Sequence, residues 1–173
     1  DMLARGDIPG RVTHNDTKMN NVLIDENTLK AICVIDLDTV MPGSALYDFA
    51  DAIRFGAAYV EEDNDDLDKV GINLDYFRKF TEAYLDQTSD ILTKIEIDYL
   101  AISCIILTLE LAMRFLNDYI NGDIYFKCKY DKHNLVRARN QIKLVEDMEK
   151  HYDEMVDIVN ECVVKVEKQK KLL

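Results

Sequence analysis

The chain has 173 residues, of which 48% are hydrophobic and 31% are charged, a balance typical of a single globular domain. Its 21 basic residues face 33 acidic ones, which gives a formal net charge of −12 at pH 7. This excess of negative charge argues against binding to nucleic acid or to an anionic membrane, because both need a cationic face. A phosphate ligand stays compatible with it if metal ions mediate the contact.

The cysteines are widely spaced and form no C-x-x-C pair: Cys33, Cys104, Cys128 and Cys162. We therefore expect them to be reduced, as in a cytoplasmic protein. The first residues show no basic-then-apolar leader, which favours the same location. The longest uncharged apolar run, 99–109, has 11 residues and predicts a buried core helix, because a membrane span needs about 20.

Two short apolar runs around a polar turn predict a β-hairpin near the N-terminus. The runs are 22–25 and 31–35, and the residues between them are turn-like. Pro42-Gly43 is then expected to form a turn that leads out of the hairpin.

Apolar residues at helical spacing predict that the rest of the chain is helical. A first helix is expected to start near Asp48, and a second to cover 76–84, beyond a loop at 61–68 that is rich in Asp and Glu. The fold class is therefore mainly α with a small β-hairpin.

The second half of the chain contains two longer helical patterns. Thr93 and Glu96 have the form of a capping box ahead of an apolar helix at about 95–116. Gly and Asp at 122–123 break that pattern, and a last helix is expected from about Asn134 toward the C-terminus. Its basic tail suits the negative end of a helix dipole.

The segment 14–21 combines side chains that suit phosphoryl transfer. An extended backbone would place His14 and Asp16 on one side, because side chains alternate along a strand. The predicted hairpin brings Asn21 close to Asp36, and amide and carboxylate oxygens are ligands that Mg²⁺ prefers. Asp16 then lies free of the metal as a candidate base, and Lys18 is placed to reach a transferring phosphate.

The spacing H-x-D-x-x-x-x-N at 14–21 is that of the protein kinase pattern H-R-D-L-x-x-x-N. In such kinases a base positions the attacking hydroxyl, while Asn and Asp hold Mg²⁺ on the phosphates of ATP. Taken alone, His14 is a structural hydrogen-bonding residue, Asp16 a loop cap, and Asn21 or Asp36 a turn residue. The combined pattern favours a kinase-type site, in which His14 keeps its structural role.

Three segments carry a family resemblance: THNDTKMNNVLIDENT, VIDLDTVMPGSALYDFADAIRFGA and LELAMRFLNDYINGDIYFK. They resemble the aminoglycoside phosphotransferase and choline kinase-like superfamily, and within it the bacterial N-acetylhexosamine 1-kinases. Such enzymes phosphorylate the anomeric hydroxyl of N-acetylglucosamine and N-acetylgalactosamine with ATP and Mg²⁺. The resemblance runs from about Arg11 to Tyr152 and implies a protein-kinase-like fold.

The resemblance also implies a role for each matching residue. Asp16 resembles the catalytic base, and Asn21 and Asp36 resemble the Mg²⁺ ligands that also hold the nucleotide. Asp38 departs from the Asp-Phe-Gly tripeptide of protein kinases, so that it either touches the metal or shapes the loop. Asp48 resembles an acid that supports the catalytic loop; as an alternative, it caps the helix that follows.

Arg114 and Tyr125 are the candidate sugar contacts, with Asp118 and Asn117 as weaker ones. In a plainer interpretation, Arg114 pairs with Glu110, four residues earlier on the same helix. Arg114 can make the sugar contact and the pair with Glu110 at once, if Glu110 orients the guanidinium toward the sugar-binding pocket. The plainer interpretation of Tyr125 is a core aromatic.

We expect residues 1–173 to form a single domain, with the catalytic loop and metal site at 11–43 and a helical body at 44–173. This domain corresponds to the C-terminal lobe of the kinase-like fold. The N-terminal lobe, which supplies a β-sheet, a phosphate-binding Lys and half of the adenine slot, is expected to be absent. The chain alone is then expected to bind MgATP weakly. The surface that the N-terminal lobe would cover is expected to be exposed, and to bind either that lobe or a second copy of the chain.

Two other functions suit parts of the pattern. One is a noncatalytic sugar- or partner-binding module derived from the kinase lobe, which would have no chemical need for Asp16, Asn21 and Asp36 together. The other is a metal-dependent hydrolase, which the 3 His residues and their spacing do not favour. The sequence therefore predicts a small-molecule kinase that binds a sugar and a nucleotide.

Overall fold

The computed structural model describes residues 2–172, with short strands near the N-terminus and long helices after them. The helices are α1 (Met2–Arg5), α2 (Ala45–Gly56), α3 (Leu74–Thr88), α4 (Lys94–Asp98), α5 (Leu100–Ile120), α6 (His133–Lys150) and α7 (Tyr152–Lys170). The strands are β1 (Arg11–Thr13), β2 (Val22–Ile24), β3 (Ala31–Val34) and β4 (Met41–Gly43). Single turns of 3₁₀ helix occur at Met19–Asn21, Leu37–Thr39 and Leu67–Lys69. The protein is thus mostly helical with little β-structure, as predicted.

Strands β2 and β3 form the predicted hairpin, with Val22 opposite Val34. A second antiparallel pair, which the sequence did not predict, joins β1 to β4 and sets Val12 opposite Pro42. Pro42 and Gly43 therefore lie in a strand, and the predicted turn there is wrong. Since β4 pairs on one side with β1, a proline without an N–H group is tolerated in it.

Helix α2 begins earlier than predicted because Ser44 caps it. The Ser44 hydroxyl accepts a hydrogen bond from the N–H of Leu46 at 3.2 Å. Asp48 lies inside the first turn of α2, so its interpretation as the N-cap is wrong.

Two helices that were predicted to be continuous are each interrupted by one residue. The capping box of Thr93 and Glu96 is present at the start of α4, which ends before Tyr99. His151 likewise separates α6 from α7. Both residues have ψ near zero, at 2° and 12°. A single such residue leaves the apolar periodicity nearly in phase, which is why the pattern did not reveal the breaks.

The long helix α5 lies at the centre of the fold, where it packs against α2 and α6. By length and composition it could cross a membrane, which the 11-residue run did not suggest. Its most apolar window is 44% buried inside the protein, and one such helix is weak evidence for a span, since core helices share these properties. The core side chains include Phe49, Ile53, Phe77, Leu100, Cys104, Leu144, Met148 and Met155.

Candidate active site

The first turn of α2 holds residues 14–21, the predicted catalytic loop, through the carboxylate of Asp48. Its two oxygens accept hydrogen bonds from the backbone N–H groups of His14 at 2.9 Å and Asn15 at 2.8 Å. The backbone carbonyl of Asp48 accepts a third bond, from the hydroxyl of Thr17. The Ser44 cap thus fixes where the helix begins, and the helix fixes the loop.

Further bonds join the catalytic loop to the acidic loop, residues 35–40, which follows β3. The Nε2 of His14 lies 2.9 Å from the carbonyl oxygen of Ile35 and must donate to it, because a carbonyl only accepts. The N–H of Ile35 donates to the carbonyl of Asn21 at 2.9 Å. Asn21 therefore lies beside the residue that precedes Asp36, as the predicted hairpin requires.

The backbone of the catalytic loop is not extended at 14–16, which corrects the expectation from side-chain alternation. Asn15 has a φ of 62° and Asp36 a φ of 63°, both in the left-handed region. The turn at Asn15 aims two successive N–H groups at Asp48. Residues other than glycine keep such conformations where the surrounding structure holds them, and they often mark functional sites.

The carboxylate of Asp16 has two polar partners within the catalytic loop. Its Oδ2 accepts from the side-chain amide of Asn21 at 2.8 Å and lies 3.0 Å from the Nζ of Lys18. Asn21 is buried, and the same amide nitrogen donates to the Asp16 carbonyl at 2.8 Å. With its NH₂ group turned to Asp16, Asn21 has its amide oxygen left to offer a cation. Lys18 is an ion-pair partner of Asp16 here.

Asp36 and Asp38 form an exposed pair of carboxyl groups on the acidic loop. A hydrogen bond with Asp38 and the negative charge of that group raise the pKa of Asp36 above its ordinary value. Burial and the charge of Asp16 raise this pKa further, and the charge of Lys18 lowers it. Asp36 therefore lies close enough to both Asp38 and Asp16 for their charges to act on it.

The side-chain oxygens of Asn21, Asp36 and Asp38 are of the kind that binds a hard divalent cation. Such a cation would also neutralise the repulsion between the two adjacent carboxylates. Across residues 2–172, no group of three or more His, Cys, Asp or Glu side chains forms a metal cluster. A cation at this site would therefore need the amide oxygen of Asn21 beside the two carboxylates.

Arg114 and Tyr125 lie together on the surface near the end of α5. The guanidinium of Arg114 is 5.8 Å from the Tyr125 ring centre and 5.5 Å from that of Phe126. Its Nε is 3.7 Å from the carboxylate of Glu110, so the pairing along the helix is present. Tyr125 is 75% exposed, and its interpretation as a core aromatic is wrong.

The structure does not connect this surface directly to the catalytic loop. Within the described part of the chain, no hydrogen bond or ion pair links Arg114 or Tyr125 to Asp16.

Asp118 is a buried residue that shapes the loop after α5, and is not a free sugar contact. Its carboxylate accepts from the backbone N–H groups of Ile124, Tyr125 and Phe126 at 2.8–3.0 Å. The side-chain amide of Asn134 donates to it at 2.9 Å. Burial raises the pKa of Asp118, but the three backbone hydrogen bonds lower it more, so that the net change is downward. Asn117 is exposed.

Several residues that support the site escaped the sequence analysis. Thr13 is buried, and its hydroxyl lies 3.0 Å from the side-chain oxygen of Asn15 and 3.1 Å from the Met41 carbonyl. The Thr39 hydroxyl donates to the His14 carbonyl at 2.6 Å. The Arg11 guanidinium binds the buried Glu96 through two bonds of 2.6 and 2.8 Å. Apart from Thr13 and Asn15, these partners are at least 25 positions apart in sequence, so no local pattern could reveal them.

Fold and site together suit the class of small-molecule phosphotransferases: a helical body carries an Asp and an Asn on one loop and two acids on a neighbouring loop. Residues 1–80 match the model of the phosphotransferase enzyme family, and this segment contains both loops. The match supports membership of the aminoglycoside phosphotransferase and choline kinase-like superfamily. Kinases of this family generally use ATP and Mg²⁺. The match leaves the acceptor molecule open.

Proposed function

We propose that this chain is the C-terminal catalytic lobe of an ATP-dependent kinase that phosphorylates the anomeric hydroxyl of N-acetylhexosamines. The observation that carries the proposal is the contact of Asp16 with Asn21, beside the Asp36 and Asp38 pair. The family match supports the class of reaction. The choice of sugar rests on the resemblance of the segments quoted above.

In the proposed reaction, Asp16 accepts the proton of the sugar hydroxyl as the oxygen attacks the terminal phosphorus of ATP, and ADP leaves with the electron pair of the broken P–O bond. The amide nitrogen of Asn21 keeps the Asp16 carboxylate oriented. The oxygens of Asn21 and Asp36 would hold Mg²⁺, with Asp38 as a further ligand. When bound, this ion would neutralise the charge of the phosphates.

Lys18 has two successive roles in this proposal. Before transfer, its ammonium group pairs with the carboxylate of Asp16, the proposed base, at 3.0 Å. Once Asp16 has taken up a proton, its attraction for Lys18 weakens, and the ammonium can follow the charge onto the transferred phosphate.

Arg114 and Tyr125 are the proposed contacts for the sugar. An exposed aromatic ring offers an apolar face to the C–H groups of a sugar, and a guanidinium donates several hydrogen bonds to hydroxyl oxygens. The proximity of the two groups supports a shared role.

An exposed apolar surface adjoins the site. It is formed by side chains of residues 12–41 that are each at least 41% exposed: Val12, Met19, Leu23, Ile24, Leu29, Ile32, Val34, Leu37, Val40 and Met41. We propose that a nucleotide-binding lobe covers this surface, and that a second copy of the chain can occupy it when the lobe is absent. The proposal includes a cytoplasmic location, which the free cysteines support.

The same surface favours one alternative, a noncatalytic module that binds a sugar or a partner protein. Separate calorimetric titrations with N-acetylglucosamine and with MgATP distinguish the two functions. Sugar binding without nucleotide binding would favour the module, and binding of both would favour the kinase.

The kinase proposal is tested by transfer of labelled phosphate from ATP to N-acetylglucosamine, with the chain alone and in the presence of a nucleotide-binding lobe. Asp16→Asn should lower the rate by about 10²–10⁴-fold, the usual contribution of a positioned base. Asp65→Asn, at an exposed position of the separate loop 61–68, serves as a matched control and should leave the rate within about twofold.

Undiminished transfer by Asp16→Asn would contradict the proposal. Turnover of the unaided chain at about 1–100 per second, a rate typical of kinases, would contradict the need for a further lobe.

A further inference from the structure

We propose that Thr39 is a positioning residue that sets the distance between the base and the metal-binding acids. It joins the acidic loop, which carries Asp36 and Asp38, to the catalytic loop, which carries Asp16. The inference rests on the proposed function, since these loops are taken to hold the base and the metal ligands.

Thr39 bonds to two consecutive residues of the catalytic loop. Its hydroxyl donates to the carbonyl of His14 at 2.6 Å. Its own carbonyl accepts from the side-chain amide of Asn15 at 3.1 Å. The bonds come from two different groups of Thr39, so they resist both rotation and sliding of one loop against the other.

The catalytic loop is itself immobilised at the point where Thr39 attaches. The hydroxyl of Thr13 lies 3.0 Å from the Asn15 side-chain oxygen, and the Asn15 N–H donates to Asp48 at 2.8 Å. Thr13 is 2% exposed, which anchors this network in the interior. Thr39 therefore attaches the acidic loop to a fixed part of the molecule.

The acidic loop needs such a restraint for two reasons. Asp36 holds a left-handed φ of 63°, which a residue other than glycine leaves when nothing holds it. Asp36 and Asp38 are also exposed and carry like charge, so that they tend to separate. Within segment 36–40 of the described structure, Thr39 alone has a side chain that hydrogen-bonds to residues 13–21.

Loss of the Thr39 hydroxyl should therefore damage catalysis more than folding. Phosphoryl transfer requires the attacking oxygen, the phosphorus and the metal ligands to be aligned. A displacement of about 1 Å at such a site can cost about 10²-fold in rate. The sugar contacts at Arg114 and Tyr125 make no bond to Thr39 in the described structure, so acceptor binding should change little.

The test compares Thr39→Val, which removes the hydroxyl at nearly constant shape, with Thr39→Ser, which keeps it. Thr28→Val is the matched control, because the Thr28 hydroxyl donates a bond to Asp25 at the tip of the β2–β3 hairpin, away from the site. Mn²⁺ binding in the presence of ATP is followed by electron paramagnetic resonance. Phosphate transfer to N-acetylglucosamine and amide hydrogen exchange of residues 14–16 are measured in parallel.

For Thr39→Val we expect Mn²⁺ affinity to fall about 10-fold and kcat about 10–100-fold, with the acceptor KM within about twofold. Exchange at residues 14–16 should become at least about 10-fold faster, because the bond to His14 is lost. Thr39→Ser should stay within about threefold of the parent in each measurement, and Thr28→Val should match the parent at the site.

Unchanged exchange and Mn²⁺ affinity in Thr39→Val would overturn the proposal, as would equal losses in the Ser variant or in Thr28→Val. All of these measurements are made in the presence of a nucleotide-binding lobe, and if the parent then neither binds Mn²⁺ with ATP nor transfers phosphate, the proposed function fails. Hydrogen exchange then decides separately whether Thr39 holds the two loops together: faster exchange in the Val variant supports the link, and unchanged exchange refutes it.

Discussion

At the scale of single residues, Gly43 shows how closely the strands approach beneath the catalytic loop. A Cβ atom at this position would clash with the hydroxyl oxygen of Thr13 and would lie 3.2 Å from the side-chain oxygen of Asn15. Both atoms belong to the network that fixes the loop. A side chain at 43 would therefore push the network away from β4.

We predict that Gly43→Ala destabilises the protein by about 1–3 kcal/mol, the usual effect of overpacking in a close-packed region. Urea unfolding measures the change. Gly10→Ala is the matched control, because a Cβ at Gly10 meets nothing within 4 Å. Equal free energies of unfolding for the two variants would show that Thr13 can move aside at no cost.

At the scale of elements, the bond between Arg11 and Glu96 ties the strand before the catalytic loop to helix α4. Arg11 binds both oxygens of Glu96 and also donates to the carbonyl of Ile91 at 2.7 Å. Glu96 is fully buried and also completes the capping box with Thr93. Burial raises the pKa of Glu96, but hydrogen bonds from Arg11 and Thr93 lower it more, so that the net change is downward.

We predict that Glu96→Gln destabilises the protein at pH 7 by about 3–5 kcal/mol, because it leaves the Arg11 charge without its partner. Asp98→Asn serves as the control on the same helix. It removes an exposed pair with Lys94 and should cost at most about 1 kcal/mol. Urea unfolding of both variants at pH 7 measures the difference, and similar losses would contradict the prediction.

The pH dependence follows from the sign of the Glu96 shift. Because the folded-state pKa is lowered, the stabilisation is present above the ordinary pKa of Glu, about 4.3, and is lost as the pH falls through the folded-state value. The gap in unfolding free energy between the parent and Glu96→Gln should therefore shrink below about pH 4. A gap that stays constant from pH 7 to pH 3 would contradict this assignment.

At the scale of the whole molecule, the protein buries its helices around α5 and exposes its apolar hairpin. Leu29 is 79%, Ile32 64% and Val34 50% exposed. Exposed apolar side chains grouped in this way often mark a site of contact with another protein.

We predict that the isolated chain self-associates in sedimentation velocity at high concentration. Ile32→Lys should reduce this association without lowering the melting temperature, because the residue is exposed. Val164→Lys, at a 49% exposed position of α7, is the control and should leave the association unchanged. A monomer at every concentration would count against the docking surface.

Local patterns predicted some elements well. The β2–β3 hairpin and the Thr93–Glu96 capping box depend on residues close in sequence, and both are present. The pairing of β1 with β4 escaped prediction, because strands of three residues that lie far apart in sequence leave no periodic signal. Helix α2 begins at Ala45, ahead of the predicted start near Asp48, because Ser44 caps it.

The sequence by itself determined which chemical groups are present and at what spacing: an Asp, a Lys and an Asn on one loop, and two Asp residues after the hairpin that follows it. Such spacing is a property of the chain before it folds. Only the tertiary structure decided that Thr39 reaches His14, that Arg11 reaches Glu96 and that Asp118 is committed to its own loop. The physical reason is that a hydrogen bond needs both partners within about 3 Å, and for residues 25 or 85 positions apart only the packing of the helical body brings them together.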